Sequence, residues 1–173
     1  MKTTQILHAM RIVSWIIFIG LCVKAGAMIL ALFANVFISG LASSELYRGL
    51  DLPNLLAANK WYFLNMTSFV IAIALMKAYM FYLVIKIFAK INLEFPFNEK
   101  IAALLAKISY VAFGTGIIAI LASGYNKWLM HRGITSGLNW ESAGYLFMAG
   151  IIFIISMLFK RGIEIQSENE LTI

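Results

Sequence analysis

The sequence predicts an all-α integral membrane protein: a single four-helix bundle domain over residues 1–173. Three observations lead there. The chain is 62% hydrophobic and only 13% charged, whereas a soluble domain is about 45–50% apolar and about 25% charged. Four apolar runs come close to or exceed the roughly 20 residues that a membrane span needs. None of them alternates as a barrel strand does, and lipid offers no partner for free backbone groups, so helices are the spanning form.

The first run, "IVSWIIFIGLCVKAGAMILALFANVFI", covers residues 12–38. The opening "MKTTQILHAMR" and the "AGA" at 25–27 superficially suit a cleavable signal peptide. Lys24 interrupts the run, however, and apolar sequence continues well past it. The segment is therefore read as a span. The second run covers 61–89, the third 101–123 and the fourth 142–159, with a cytoplasmic tail at 160–173. The first two are long enough to tilt or protrude, and the fourth is short.

The connections are modest. Residues 39–60 carry Ser44 as a helix N-cap, with Leu46, Tyr47 and Leu50 on one side and Pro53 as a break. They predict one or two short helices lying on the membrane surface. In "INLEFPFNEK", Pro96 disfavours helix at Phe95. Asn98 then caps the third helix, with Glu99 in its first turn. Residues 124–139, with three glycines, predict a structureless outer loop.

Charge sets the orientation. With the N-terminus inside, the inner flanks hold Lys2, Arg11, Lys86, Lys90, Lys100, Lys107, Lys160 and Arg161, and the outer flanks hold Arg48, Lys60, Lys127 and Arg132. Eight against four predicts both termini in the cytoplasm of a cell whose inner membrane the protein crosses four times. The net charge of +6 is then an ordinary property of cytoplasmic flanks and does not call for nucleic acid. Trp61, Tyr62, Tyr125, Trp128, Trp140 and Tyr145 predict an aromatic belt at the outer interface. A single cysteine, Cys22, forbids an intrachain disulfide and reads as a small core residue.

Small residues mark helix contacts in membranes. The third run has Ala102, Ala106, Ser109, Ala112, Gly116, Ala119 and Ser123 at steps of three and four. The first has Gly20, Ala27 and Ala31 on the face of Lys24, and the fourth has Ser142, Ala149 and Ser156 at steps of seven. Plain packing accounts for these stripes. Lys24 and Lys77 are different, because each lies near the middle of a span. A central lysine costs about 2.5–3.5 kcal/mol on insertion scales. No Asp or Glu lies inside any predicted span, so no mid-membrane carboxylate within the chain is expected to meet them. The two are candidate intramembrane functional residues. Snorkelling to an interface is the plain alternative; a neutral lysine, a water-filled cavity, an anionic ligand and a partner's carboxylate are the others.

No catalytic constellation is present. His8 and His131 fall on opposite sides of the predicted membrane, without metal-ligand spacing to Cys, Asp or Glu. "GTG" at 114–116 lies within a helix and follows no strand, so it is no phosphate loop. No enzyme, metal or cofactor is expected.

The tail is the most distinctive segment. Lys160 and Arg161 mark the membrane exit, and Gly162 is placed to end the helix. Beyond it come Glu164, Glu168 and Glu170 with no basic residue, about −4 in charge with the terminal carboxylate. If extended, it carries Ile163, Ile165, Leu171 and Ile173 on one side, as a strand added to a sheet edge does. The alternatives are folding back onto Lys86, Lys90, Lys100 and Lys107, or a short helical continuation.

"FKRGIEIQSENELTI", with "FPFNEKIAALLAKISYVAFG" before and into the third span, resembles the bacterial four-span membrane family known as domain of unknown function 2975. The matching positions are Pro96 and Phe97 in the inner turn, then Arg161, Gly162, Glu164, Gln166, Glu168, Asn169, Leu171 and Thr172. The resemblance extends over roughly the whole chain, and its specific motif is the tail. The inner turn departs from the family pattern: members often have Ser after the Phe and a more basic start to span three. The resemblance implies no established activity; it implies a regulatory role beside small helix-turn-helix regulators.

The primary expectation is a non-catalytic membrane regulator or sensor that docks a cytoplasmic partner through its tail, with the matched tail residues, Pro96 and Phe97 as docking residues. The alternatives are an accessory subunit of a larger membrane complex and a small anion transporter or channel that uses Lys24 and Lys77. Against the last, no internal repeat or pair of broken helices is visible. The partners expected are the lipid bilayer, a cytoplasmic protein of the helix-turn-helix regulator kind and further copies of the chain. Direct nucleic-acid binding is not expected.

Overall fold

A computed structural model describes residues 3–37, 55, 58–91, 98–134, 136 and 138–170. The protein is an all-α four-helix bundle: α1 (Thr3–Phe37), α2 (Lys60–Lys90), α3 (Glu99–Met130) and α4 (Ser142–Glu170). All four are long and apolar enough to cross a membrane. The surface helices predicted around Ser44 and Pro53, and the turn at Pro96 and Phe97, lie outside the described residues.

Each helix is longer than its apolar run. Asn98 caps α3 as its sequence predicts, accepting a hydrogen bond from the Lys100 backbone N–H at 2.8 Å. Asn59 does the same for α2 through the Trp61 N–H at 2.8 Å. At the C-terminus of α3, Gly133 has φ +77°, a conformation that only glycine adopts cheaply. The Ile134 N–H returns to the Leu129 carbonyl at 3.1 Å and the Gly133 N–H to that of Met130 at 2.9 Å. This Schellman cap turns the chain back upon α3.

Gly162 does not end α4, contrary to the expectation from its position. The helix continues to Glu170, so the extended, strand-like tail is replaced by helix. One glycine inside a helix costs only about 0.5–1 kcal/mol, and its neighbours offset that. The Arg161 guanidinium meets the Glu164 carboxylate at 2.6 Å one turn on, on an exposed face. Leu171 and Thr172 lie outside the described residues.

The principal packing runs α1 on α2, α2 on α3 and α3 on α4, all antiparallel. Side-chain pairs fix the levels. Phe18 meets Tyr82, Tyr62 meets Trp128, and Met76 lies against Thr115. Ser109 donates to the Ala149 carbonyl at 2.9 Å and Ser156 to the Ala102 carbonyl at 3.3 Å. The start of α1 and the end of α4 therefore share one end of the bundle. The α3 stripe is confirmed as a contact face: Ala102, Ser109, Ala112, Gly116 and Ala119 are all buried. Ala149 and Ser156 answer it from α4. Outward, the large apolar side chains are bare, as in Val23, Leu30, Phe147 and Leu158. That is the surface a bilayer requires.

Candidate functional site

Three features build a cavity at mid-height in the bundle. The first is level. Phe18 against Tyr82 places Lys24 of α1 opposite residue 76 of α2, one position from Lys77. The two lysines stand side by side, each about 20 Å or more from either end of its helix at 1.5 Å per residue.

The second is the return segment, made of Ile134, Ser136 and residues 138–141. After the Gly133 cap the chain runs back down along α3. Ile134 and Leu138 pack onto the core cluster of Phe63, Met66 and Leu129. Asn126 on α3 holds this segment: its amide donates to the Leu138 carbonyl at 3.4 Å, and its carbonyl accepts from the Ser136 hydroxyl at 2.5 Å. Leu138 is thus level with residue 126 of α3, and α4 starts lower still, since Leu146 abuts Gly116. The N-terminus of α4 lies about 18 Å below the far end of α3, at 1.5 Å per residue.

The third is an open seam. α1 and α4 share no extensive contact. Between them the bundle leaves a cavity of about 340 Å³, lined by Lys24, Lys77, Asn139, Trp140, Glu141 and Tyr145 together with apolar side chains from α1, α2 and α3. The Lys77 ammonium lies over the Tyr145 ring, 5.2 Å from its centroid. Trp140 keeps its indole N–H buried with no partner among the described residues.

The two predicted lysines are therefore brought together. Lys24 lies beside the packed face of α1 and not within it: Ala25, Met28 and Ala31 are buried, Lys24 is exposed, and nothing approaches the position of a Gly20 side chain. What the sequence missed is Glu141. Lying outside the predicted spans, Asn139, Trp140 and Glu141 stand in the middle of the bundle because the return segment carries them there. Trp140 and Tyr145 accordingly leave the predicted outer belt. Tyr62, Tyr125 and Trp128 remain in it as an aromatic cluster, with Arg132 donating to the Tyr62 hydroxyl at 3.1 Å and lying 4.1 Å from the Trp128 ring centroid. The signal available beforehand was weak: an asparagine in α3, a serine ten residues on, and a short fourth span that cannot begin where the third ends.

The described docking residues form a second region, at the end of the bundle where α1 starts and α4 ends. Arg161, Gly162, Glu164, Gln166 and Glu168 all lie on the α4 extension. Asn169 is helical there as well. Ile163 and Glu164 line a groove of about 640 Å³ with Glu99, Lys107 and Lys160. The basic inner rim is partly occupied by its own aromatics: the Lys86 ammonium lies 4.4 Å from the Tyr82 ring centroid and that of Lys107 5.7 Å from Tyr79.

The DUF2975 family model, a protein of unknown function, matches residues 48–173. The chain belongs to this family. The match takes in Lys77, the return segment, Glu141 and the whole of α4, while α1 with Lys24 precedes it. The match thus takes in three of the four helices, and four helices able to span a membrane fit a four-span family. No curated protein and no solved structure matches the chain.

Proposed function

We propose that this DUF2975 protein is a non-catalytic membrane sensor. Its termini face the cytoplasm, the mid-bundle cavity is its receiving end, and the acidic extension of α4 docks a cytoplasmic protein. The observation that carries the reading is the continuity of α4, which runs unbroken from Tyr145 at the cavity to Glu170. A change at Tyr145 reaches the docking surface through a rigid rod of about 35–40 Å, at 1.5 Å per residue. The exposed carboxylates Glu164 and Glu168 favour a basic partner surface, in keeping with a nucleic-acid-binding regulator.

The test uses the full chain in its native membrane. Cysteine labelling on a Cys22→Ser background should modify Met130→Cys from outside the cell and Glu168→Cys only after permeabilisation. Deleting residues 163–173 should leave all four spans inserted and abolish recovery of the partner. Ile163→Pro keeps every carboxylate but breaks the rod, since proline inside a helix costs about 3 kcal/mol or more; it should uncouple the partner as the deletion does. Equal partner recovery from the truncated chain refutes the docking role.

A further inference from the structure

We infer that the mid-bundle cavity binds the carboxylate of a single-chain amphiphile, a long-chain fatty acid, that enters sideways from the bilayer between α1 and α4. Charge selects the head. Two lysine ammoniums and the Glu141 carboxylate leave the cavity one positive charge in excess. A monoanion cancels it, whereas a phosphomonoester, at about −1.5 to −2 near neutral pH, overshoots. Donors are available for both oxygens of a carboxylate in Lys24 and Lys77. Lys77 is already turned toward α4, over Tyr145, on the side of the open seam.

Depth selects the rest of the molecule. The lysines are about 20 Å or more from the helix ends, and the diester phosphate of a two-chain lipid would have to leave the headgroup layer to reach them. A carboxylic acid crosses apolar medium in its uncharged form, because only its ionised form carries the large desolvation cost. The route is lateral. α1 and α4 are the two helices with least of their apolar span buried, and they are the two that flank the seam. The remaining lining is apolar, including Leu21, Met28, Val70 and Ile73, which suits the first methylenes of a chain. The cavity falls at the lower end of the range of about 300–1,000 Å³ typical of small-molecule pockets, so it takes the head and the start of the chain while the remainder lies in lipid.

That such an acid acts as a signal rests on the sensor reading; that it binds does not. The experiment uses the full-length protein in phosphatidylcholine nanodiscs. The probes are a diazirine-bearing palmitate and its methyl ester. The acid should crosslink to α1 and α4 residues flanking the seam, and the ester should not. Lys24→Leu/Lys77→Leu should reduce labelling to the level of the ester. Lys77→Leu alone should weaken competition by unlabelled palmitate about tenfold, equivalent to about 1.4 kcal/mol. Glu141→Gln should strengthen competition, because it raises the excess charge; a loss of folding would not produce a gain. Equal labelling by acid and ester, or labelling indifferent to both lysines, overturns the proposal. Displacement by millimolar acetate or inorganic phosphate as readily as by palmitate assigns the site to a soluble anion and overturns the bilayer route. Equal displacement by phosphatidylglycerol assigns it to a two-chain lipid and overturns the single-chain acid. Labelling as expected, with partner recovery unchanged by palmitate, leaves the binding site standing and refutes the sensor reading alone.

Discussion

Toward α3, α4 packs until side chains give way to backbone; toward α1, the same helix leaves a gap. The α3–α4 seam is made of Ala102, Ser109, Ala112 and Gly116 against Leu146, Ala149 and Ser156, with two serine-to-carbonyl hydrogen bonds across it. The α1–α4 side holds two lysines, a glutamate and an unfilled volume. Water cannot drive helices together in lipid, so association follows from close approach and hydrogen bonds. The first seam has both. The second lacks small residues facing each other and carries charge. Its openness is thus a consequence of which residues face it.

Three measurements break or sharpen this contrast, all by unfolding in nanodiscs free of added acid. The largest effect belongs to Gly116. A Cβ there would stand 2.6 Å from Leu146 Cδ2 and 2.8 Å from its Cγ, so Gly116→Val should destabilise by about 1–3 kcal/mol through overpacking. Gly150, with nothing within 4 Å of its Cβ position, is the control on the same helix pair. Gly150→Val should stay within about 0.5 kcal/mol of wild type. A similar loss at both sites would mean that the seam is not tightly closed.

Next in size is Lys77→Leu, with the opposite sign. A mid-membrane lysine costs up to about 2.5–3.5 kcal/mol. Lys77 lines the cavity instead of facing lipid alone, and the contact over Tyr145 returns about 0.5–1 kcal/mol or more, so a gain of about 1 kcal/mol is expected for the variant. A destabilised Lys77→Leu protein would show that the lysine holds the seam together instead of being retained against stability. The smallest effect is Ser109→Ala, which removes one interhelical hydrogen bond at 2.9 Å. The expected loss is about 0.6 kcal/mol, the average for such bonds within a bilayer. The longer Ser156 bond, at 3.3 Å, should contribute less.

Hydropathy and short-range spacing were enough to read much of this molecule. The four spans follow from runs of apolar residues that lipid requires and that no soluble core of this size accommodates. The Ala102–Ala119 stripe follows from helical periodicity. The Asn98 cap follows from a side-chain acceptor placed before the first free N–H groups. Each is a local relation, settled by residues within a few turns of one another. The charge of the tail was equally plain, but its shape was not. Gly162 by itself permits a helix end without imposing one, and the Arg161–Glu164 pair formed on the helix accompanies continuation.

Only the tertiary structure decided where the charges lie in depth. Lys24 and Lys77 are far apart in sequence, and antiparallel packing of α1 on α2 brings them level. Glu141 falls outside every apolar run, and loops ordinarily stay outside the membrane. Here Gly133 reverses the chain, Asn126 and Ser136 pin it against α3, and Leu138 packs against the core cluster that contains Leu129 and Phe63. Ser136 and the Leu138 carbonyl of the return segment find partners on Asn126, and irregular backbone is tolerated at membrane depth where it is buried in protein or lines a cavity. Composition determines that this chain enters a membrane. Which of its charged residues meet there depends on the register between helices, and register is a property of the assembled bundle.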